Sequence, residues 1–315
     1  MTRWALQFVA CVMGAAAIAA QAPAAKPAPL DSKLRDEIKA SVDLGVGYLR
    51  WKIGPTGSLG DDLAATAMAV RVFAESHRKY TEEDGPFMRR PLAFVRGRAN
   101  PDGSFASGPR TIRDTALALM ALSAVNVEAD RPLIDGALKF LAAAIERQGR
   151  SLDPLDAALA LEALDPLDPS RALPAWGRGV MRDGAATLES GALAVAELHS
   201  LLLVRVDRGD PRVAAVTGWL RDHYTVDANP PIGDQGRYRY YYGAVNGLSA
   251  YGRRTFTDAK GVERDWRTEI ARQLISLQQF EGYWVNRDAY GGEDNPFVAT
   301  ALALHALEVL YNSKL

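Results

Sequence analysis

Acidic side chains and a run of tyrosines are the residues of this sequence whose types and spacing could do chemistry. Several Ala/Leu-rich segments begin beside carboxylates, and the run RYRYYYG at 237–243 places four tyrosines in five residues. Tyrosine offers an apolar ring and a polar hydroxyl, whereas a carboxylate at a segment start either caps a helix or contacts a ligand. If the fold brings the segment starts together, the expected ligand-binding candidates are Asp62, Asp114, Tyr240, Tyr241, Glu293 and Asp294.

No recognisable catalytic or metal-binding motif accompanies these residues. The single cysteine, Cys11, lies in an N-terminal apolar run, so the remaining chain has no thiolate nucleophile and no cysteine-bound zinc. His305 and Glu308 share a helix face, a spacing more typical of a hydrogen-bonded pair than of a metal site. The sequence has neither a phosphate-binding glycine loop nor a nucleophile elbow. We therefore predict no metal and no cofactor, and the catalytic residues, if any, stay unknown.

The overall charge is nearly balanced. The 315 residues include 37 Lys and Arg against 38 Asp and Glu, a net charge of −1. This balance provides no basic field for a phosphate backbone, so we predict no nucleic-acid partner.

The N-terminus resembles an export signal. Arg3 is followed by an apolar run to Ala20, and Ala17–Ala19 supplies small residues for cleavage. We predict a signal peptide at 1–19, a Pro/Ala linker at 20–30 and a folded domain at 31–315. The mature protein is then periplasmic or secreted, without a transmembrane span. An uncleaved anchor and a lipid anchor at Cys11 are the alternatives.

Six Ala/Leu-rich segments recur along the domain. Their equivalent positions are Thr66, Thr115, Ala157, Gly191, Ala244 and Thr300, separated by steps of 34 to 56 residues. Such a period fits two helices and their loops, and alanine favours helix over strand. Predicted N-caps of the helices include Asp61, Asp62, Asp114, Asp153, Asp210, Asp265 and Asn295.

One-sided amphipathic helices lie between these segments; the first carries an apolar stripe from Leu34 to Leu49. Two-faced apolar helices belong inside a fold and one-sided helices outside it. The sequence therefore predicts an all-α (α/α)6 toroid, a double ring of six inner and six outer helices. Short outer helices are expected near Pro91 and Pro174.

A loop motif precedes some of the inner helices. LISLQQFEGYW at 274–284 places Gln278, Gly282 and Trp284 in order, and a degenerate copy at 94–105 contains Asp102, Gly103 and Phe105. A third, fainter copy spans 48–59. The glycine permits a tight turn, the aromatic ring packs back on the helix, and the glutamine can bond the loop backbone. We predict that these residues are structural.

The spacing in these loops is that of the QW motif, and residues 31–315 resemble the squalene-cyclase and protein-prenyltransferase superfamily. The resemblance is strongest to exported bacterial proteins with prenyltransferase/squalene-oxidase repeats, through 219–248 and 266–311. It implies the toroid fold. However, the Asp-x-Asp-Asp acid of the cyclases, the zinc ligands of the prenyltransferases and the thioester sequence of complement-like proteins are all missing.

Three functional classes follow from the resemblance and these departures. The first is an exported toroid that binds a small molecule or a protein at its central mouth without catalysis. The alternatives are a terpenoid-type cyclase or transferase with atypical acids, and a polysaccharide lyase or glycosidase on the same toroid. A deep aliphatic cavity favours the terpenoid class, and an open acidic groove with paired carboxylates favours the glycan class.

Overall fold

The computed structural model describes residues 30–165 and 188–313. This part of the chain is predominantly helical, as predicted. Its helices are α1 (Ser32–Lys52), α2 (Leu63–Glu75), α3 (Pro86–Arg96), α4 (Thr111–Val125), α5 (Arg131–Gln148), α6 (Pro154–Leu164), α7 (Gly191–Leu203), α8 (Pro211–His223), α9 (Arg237–Tyr251), α10 (Trp266–Leu277) and α11 (Pro296–Asn312). The predicted signal peptide, nearly all of the predicted linker and the short helix expected near Pro174 lie outside the described residues.

Six of these helices carry the repeated Ala/Leu segments: α2, α4, α6, α7, α9 and α11. We call them the apolar helices because most of their residues are buried on all sides. Each packs against the next one in chain order, and α11 packs against α2. Small residues permit this close approach: a Cβ added to Gly247 of α9 would lie 2.9 Å from the carbonyl oxygen of Val195 in α7.

The amphipathic helices α1, α3, α5, α8 and α10 pack against the apolar ones. Helix α3 contacts α2, α5 contacts both α4 and α6, α8 contacts α7, and α10 contacts α11. Helix α1 contacts α10, α11 and α2 through its predicted stripe, which includes the buried residues Leu34 and Leu49. Pro91 lies inside the short helix α3.

Most of the predicted helix caps are confirmed. The side chain accepts a hydrogen bond from a first-turn backbone N–H at Asp62, Asp153, Asp210, Asp265 and Asn295. Asp114 is different: α4 already begins at Thr111, so this residue lies inside the first turn and is not a cap. Asp61 is also not a cap; it accepts a hydrogen bond from the Ser58 hydroxyl at 2.8 Å.

The three loop copies share one backbone geometry. Gly57, Gly103 and Gly282 have φ angles of +88°, +88° and +95°. A Cβ at each of these glycines would approach a backbone carbonyl oxygen of an amphipathic helix to 2.3–2.6 Å. These positions require glycine both for its φ angle and for the absence of a side chain.

The last copy shows what the loop residues do. Gln278 Nε2 donates to the carbonyl oxygens of Gly282 and Ser41, both at 2.9 Å. The fully buried Trp284 ring donates from Nε1 to the Leu274 carbonyl at 2.7 Å. In the degenerate copy Asp102 accepts from the Ser104 hydroxyl, and Phe105 is 2% exposed. The loop at 278–284 thereby ties α10 to α1 through Gln278 and Ser41.

Two short strands and several 3-10 turns accompany the helices. β1 (Thr255–Thr257) and β2 (Glu263–Asp265) form an antiparallel pair between α9 and α10. None of the helices in the described residues is long and apolar enough to cross a membrane.

Candidate functional site

A cavity of about 330 Å³ lies among the N-terminal halves of the apolar helices. All six of these helices contribute to its lining. Its walls are mainly aliphatic, through Met68, Leu117, Leu155, Leu159, Val298 and Leu302. We call this space the central cavity.

The rim of the central cavity carries three arginines, Arg110, Arg113 and Arg239. Arg110 lies 3.7 Å from a carboxylate oxygen of Asp62, and Arg113 lies 3.4 Å from one of Asp114. These two arginines therefore have carboxylate partners at the rim.

Arg239 has a different environment. Its guanidinium donates to the Gly291 carbonyl at 2.7 Å and forms no ion pair with the carboxylates of the described residues. Burial and the nearby charge of Arg113 lower the pKa of Arg239. Arg113 and Arg239 thus both bring positive charge to the rim, near enough for the charge of one to affect the other.

Two aspartates near the rim arginines are affected by burial. Burial raises the pKa of Asp114 above its ordinary value, although Arg113 and Arg110 oppose this. Burial, together with Asp153, also raises the pKa of Asp156. Both aspartates are therefore weaker acids than an exposed aspartate, which reduces the tendency of each to carry the negative charge that would balance the arginines.

The floor of the central cavity is polar. Glu162 accepts hydrogen bonds from the Tyr242 hydroxyl at 2.8 and 2.9 Å and forms a 2.9 Å ion pair with Arg71. Burial opposes ionisation of Glu162, but the charge of Arg71, the two nearby histidines and the Tyr242 hydrogen bond together outweigh it and lower the pKa of the carboxyl. Burial and Glu162 raise the pKa of Tyr242, and burial lowers that of His199. At neutral pH the floor therefore presents a paired carboxylate, a neutral phenol and a neutral imidazole.

The predicted site residues do not all meet in this cavity. Asp62 lines the rim while it caps α2, and the buried Asp114 lies beside Arg113. Glu293 is fully buried and accepts hydrogen bonds from the backbone N–H groups of Tyr238 and Arg239, so it holds the start of α9. Asp294 is exposed at the surface.

Tyr240 and Tyr241 do not line the cavity, contrary to the prediction. The hydroxyls of Tyr240 and Tyr241 donate to the carbonyls of Thr225 and Val226, and both rings are buried between α9 and the preceding loop. Tyr242 is the tyrosine that lines the central cavity. Adjacent helix residues differ by about 100° of rotation, so composition could not select among them.

The residues of the candidate site that the sequence analysis missed are Arg71, Arg113, Glu162, Arg239 and Tyr242. Arg71 and Glu162 did carry a signal, since each is a charge inside an otherwise apolar helix. A buried charge needs a partner, and these two residues are each other's partner.

His305 and Glu308 do not form the hydrogen-bonded pair that their spacing indicated. His305 bonds Asn246 Oδ1 at 3.2 Å and lies 3.5 Å from Glu75 rather than against Glu308. In residues 30–165 and 188–313, no group of three or more His, Cys, Asp or Glu is arranged to hold a metal ion.

Comparisons with known proteins bear on the fold. No protein-family model matches the sequence, and no curated protein matches it. A solved structure, the crystal structure of a protein from Actinoplanes, is similar with a TM-score of 0.56 and 17% identity. The similarity covers 87% of this chain and 99% of that chain. At this identity it is a likeness of fold alone.

Proposed function

We propose that this protein is an exported (α/α)6 toroid of the squalene-cyclase-like type whose central cavity binds a small amphiphilic anion. The contacts between successive apolar helices, from α2 to α11 and back to α2, support the toroid. The equivalent loops with Gly57, Gly103 and Gly282 support its repeat character.

The observation that carries the proposed ligand class is the pair of Arg113 and Arg239 above aliphatic walls. The charge of Arg113 disfavours the charged form of Arg239, and a bound carboxylate or phosphate would relieve this repulsion. Leu117, Leu159 and Leu302 offer the rest of the ligand an apolar environment. The cavity volume of about 330 Å³ is at the small end of the range of ligand pockets.

The same lining favours a binding role over the glycan class. Its carboxylates are Asp62 at the rim and Glu162 at the floor, and each already has a cationic neighbour. The aliphatic walls instead match the feature expected of the terpenoid class. An isoprenoid anion is therefore the second candidate, as a ligand or as a substrate.

The test is binding of matched ten-carbon probes to the full chain below their micellar concentrations. Decanoate carries an anionic head, decanol a neutral one and decyltrimethylammonium a cationic one. We expect decanoate to bind most tightly by calorimetry and to raise the melting temperature, because a ligand that binds the native state stabilises it. Farnesyl diphosphate and farnesol added as a second pair distinguish an isoprenoid from a simple fatty chain.

Variants then locate the site. Arg239→Gln and Arg113→Gln should each weaken decanoate binding by about tenfold, the factor for one charge-assisted hydrogen bond. Arg89→Gln, at an exposed position of α3 away from the cavity, is the matched control. Equal affinity for all three head groups, or no effect of either rim variant, would contradict the proposal.

A further inference from the structure

A second cavity lies at the opposite ends of three apolar helices. It has a volume of about 350 Å³ and is lined where α2, α9 and α11 end. We call it the distal cavity. Its lining includes Glu75, Lys79, Ser249, Glu308 and Val309, and none of these residues lines the central cavity.

Glu308 is the unusual residue of the distal cavity. Its residue surface is 3% exposed, yet neither carboxylate oxygen has a hydrogen-bond partner among the described residues. The Ser249 hydroxyl beside it is also buried without a partner there, as is Asn246 Nδ2 one turn earlier on α9. A buried carboxyl group without a donor is energetically costly, so this arrangement points to a donor that a ligand supplies.

The nearby cations do not supply that donor. Lys79 Nζ donates to the Glu75 backbone carbonyl at 2.8 Å. Arg71 pairs with Glu75 at 3.0 Å and with Glu162 at 2.9 Å. Arg71 is thus engaged by two other carboxylates and Lys79 by a backbone carbonyl, and Glu308 has neither contact.

The helix ends add to this negative potential. Helices α2, α9 and α11 all end at the distal cavity, and the C-terminal end of a helix carries partial negative charge. Burial and the charge of Glu75 raise the pKa of Glu308, and a bound cation would oppose that shift. The distal cavity thus lacks N–H donors to the Glu308 carboxyl among the described residues, and a ligand that brings such donors together with a positive charge would favour the carboxylate form.

We propose that the distal cavity binds the primary ammonium group of a small organic molecule. The ammonium donates to the Glu308 carboxylate and to the Ser249 hydroxyl, and its carbon chain lies along Val309. A bare metal ion fits less well because the free acceptors are one carboxylate and one hydroxyl, and the volume greatly exceeds that of an ion. This proposal does not depend on anion binding in the central cavity.

The test uses n-butylammonium chloride and the full chain, with binding followed by saturation-transfer NMR and calorimetry. We expect binding to the wild type that weakens by about tenfold or more in Glu308→Gln, which keeps the shape but removes the charge. Glu263→Gln, at an exposed position of β2, is the matched control and should bind as the wild type does. Circular dichroism and the melting temperature verify that each variant is folded.

Two competitors test the chemical class. Tetramethylammonium has the same charge but no N–H donor, so we expect it to bind about tenfold more weakly than n-butylammonium. Potassium chloride at the same ionic strength should not displace the amine. The proposal is overturned if n-butylammonium fails to bind the wild type, if Glu308→Gln binds it equally, or if either competitor matches it. Ser249→Ala provides a second variant should Glu308→Gln not fold.

Discussion

The Thr300 hydroxyl oxygen lies 2.9 Å from the backbone nitrogen of Trp284, which donates a hydrogen bond to it. The same bond joins Phe105 to Thr115 at 3.0 Å and Leu59 to Thr66 at 2.9 Å. In each case the residue two positions after the loop glycine donates to a threonine in the following apolar helix. These threonines are three of the six positions that the sequence repeat makes equivalent.

We predict that Thr300→Val destabilises the protein by about 1–3 kcal/mol, because the shape is kept while the buried N–H of Trp284 loses its acceptor. Thr66→Val and Thr115→Val should have costs of similar size, since their bonds are equivalent. Urea unfolding of the three variants measures this. Thr257→Val, at the exposed end of β1, is the control; costs no larger than its own would show that the repeated bond contributes nothing.

Two glycines of α1 should respond in opposite ways to alanine. A Cβ on Gly45 would lie 2.7 Å from Leu304 Cδ2 and 3.0 Å from the Trp284 ring, whereas one on Gly47 meets nothing within 4 Å. We expect Gly45→Ala to cost about 1–3 kcal/mol through overpacking and Gly47→Ala to stabilise by about 0.5–1 kcal/mol through helix propensity. Melting temperatures of the two variants decide; shifts of the same sign would contradict the packing of α1 against α11.

The Trp284 ring should be a main contributor to stability. Trp284→Ala is expected to cost about 3–5 kcal/mol, because the ring is fully buried. Trp284→Phe keeps most of the ring but leaves the Leu274 carbonyl without its donor, so we expect a smaller loss. Chemical unfolding followed by circular dichroism provides the measurement, with Trp51→Ala as control, since that tryptophan is 83% exposed.

Acid should lower the free energy of unfolding partly through protonation of Glu75. Burial opposes ionisation of Glu75, but Arg71 and His305 prevail and lower its pKa to about 2. A carboxyl with a lowered native pKa contributes stability above its unfolded value, 4.5, and that contribution is lost as the pH falls towards 2. The unfolding free energy of Glu75→Gln should therefore fall less steeply than that of the wild type over this window, whereas Glu263→Gln should follow the wild type. Parallel curves for wild type and Glu75→Gln would exclude this role.

Replacement of the buried Arg71 side chain should strongly destabilise the folded protein. Arg71→Met leaves Glu162 without its ion-pair partner beneath the central cavity, and we expect a loss of about 3–5 kcal/mol. The double variant Arg71→Met with Glu162→Gln should recover part of that loss, because no unpaired charge then remains at the floor. Urea titrations of the single and double variants measure the coupling, and simple additivity would argue against the pair.

The sequence predicted the helical class, the positions of the apolar helices and most of their caps, because periodicity and capping are local properties. It did not predict the central cavity's lining. Which of Tyr240, Tyr241 and Tyr242 faces inward depends on helix rotation, and the presence of both Arg113 and Arg239 at one cavity depends on how the contacts between successive apolar helices place α4 and α9 around it. Glu293 was predicted to contact ligand, but in the structure it bonds the start of a neighbouring helix, a pairing across 54 positions that no local pattern encodes.

The bonds between Ser41 of α1 and Gln278 join positions 237 residues apart. At a synthesis rate of about 5–20 residues per second, on the order of 10–50 s therefore pass between the synthesis of Ser41 and that of Gln278. Throughout that interval the stripe from Leu34 to Leu49 lacks its contacts with α10 and α11, although α2 follows it directly. The order of translation thus leaves part of the apolar face of the first helix exposed to water until the last two helices have been made.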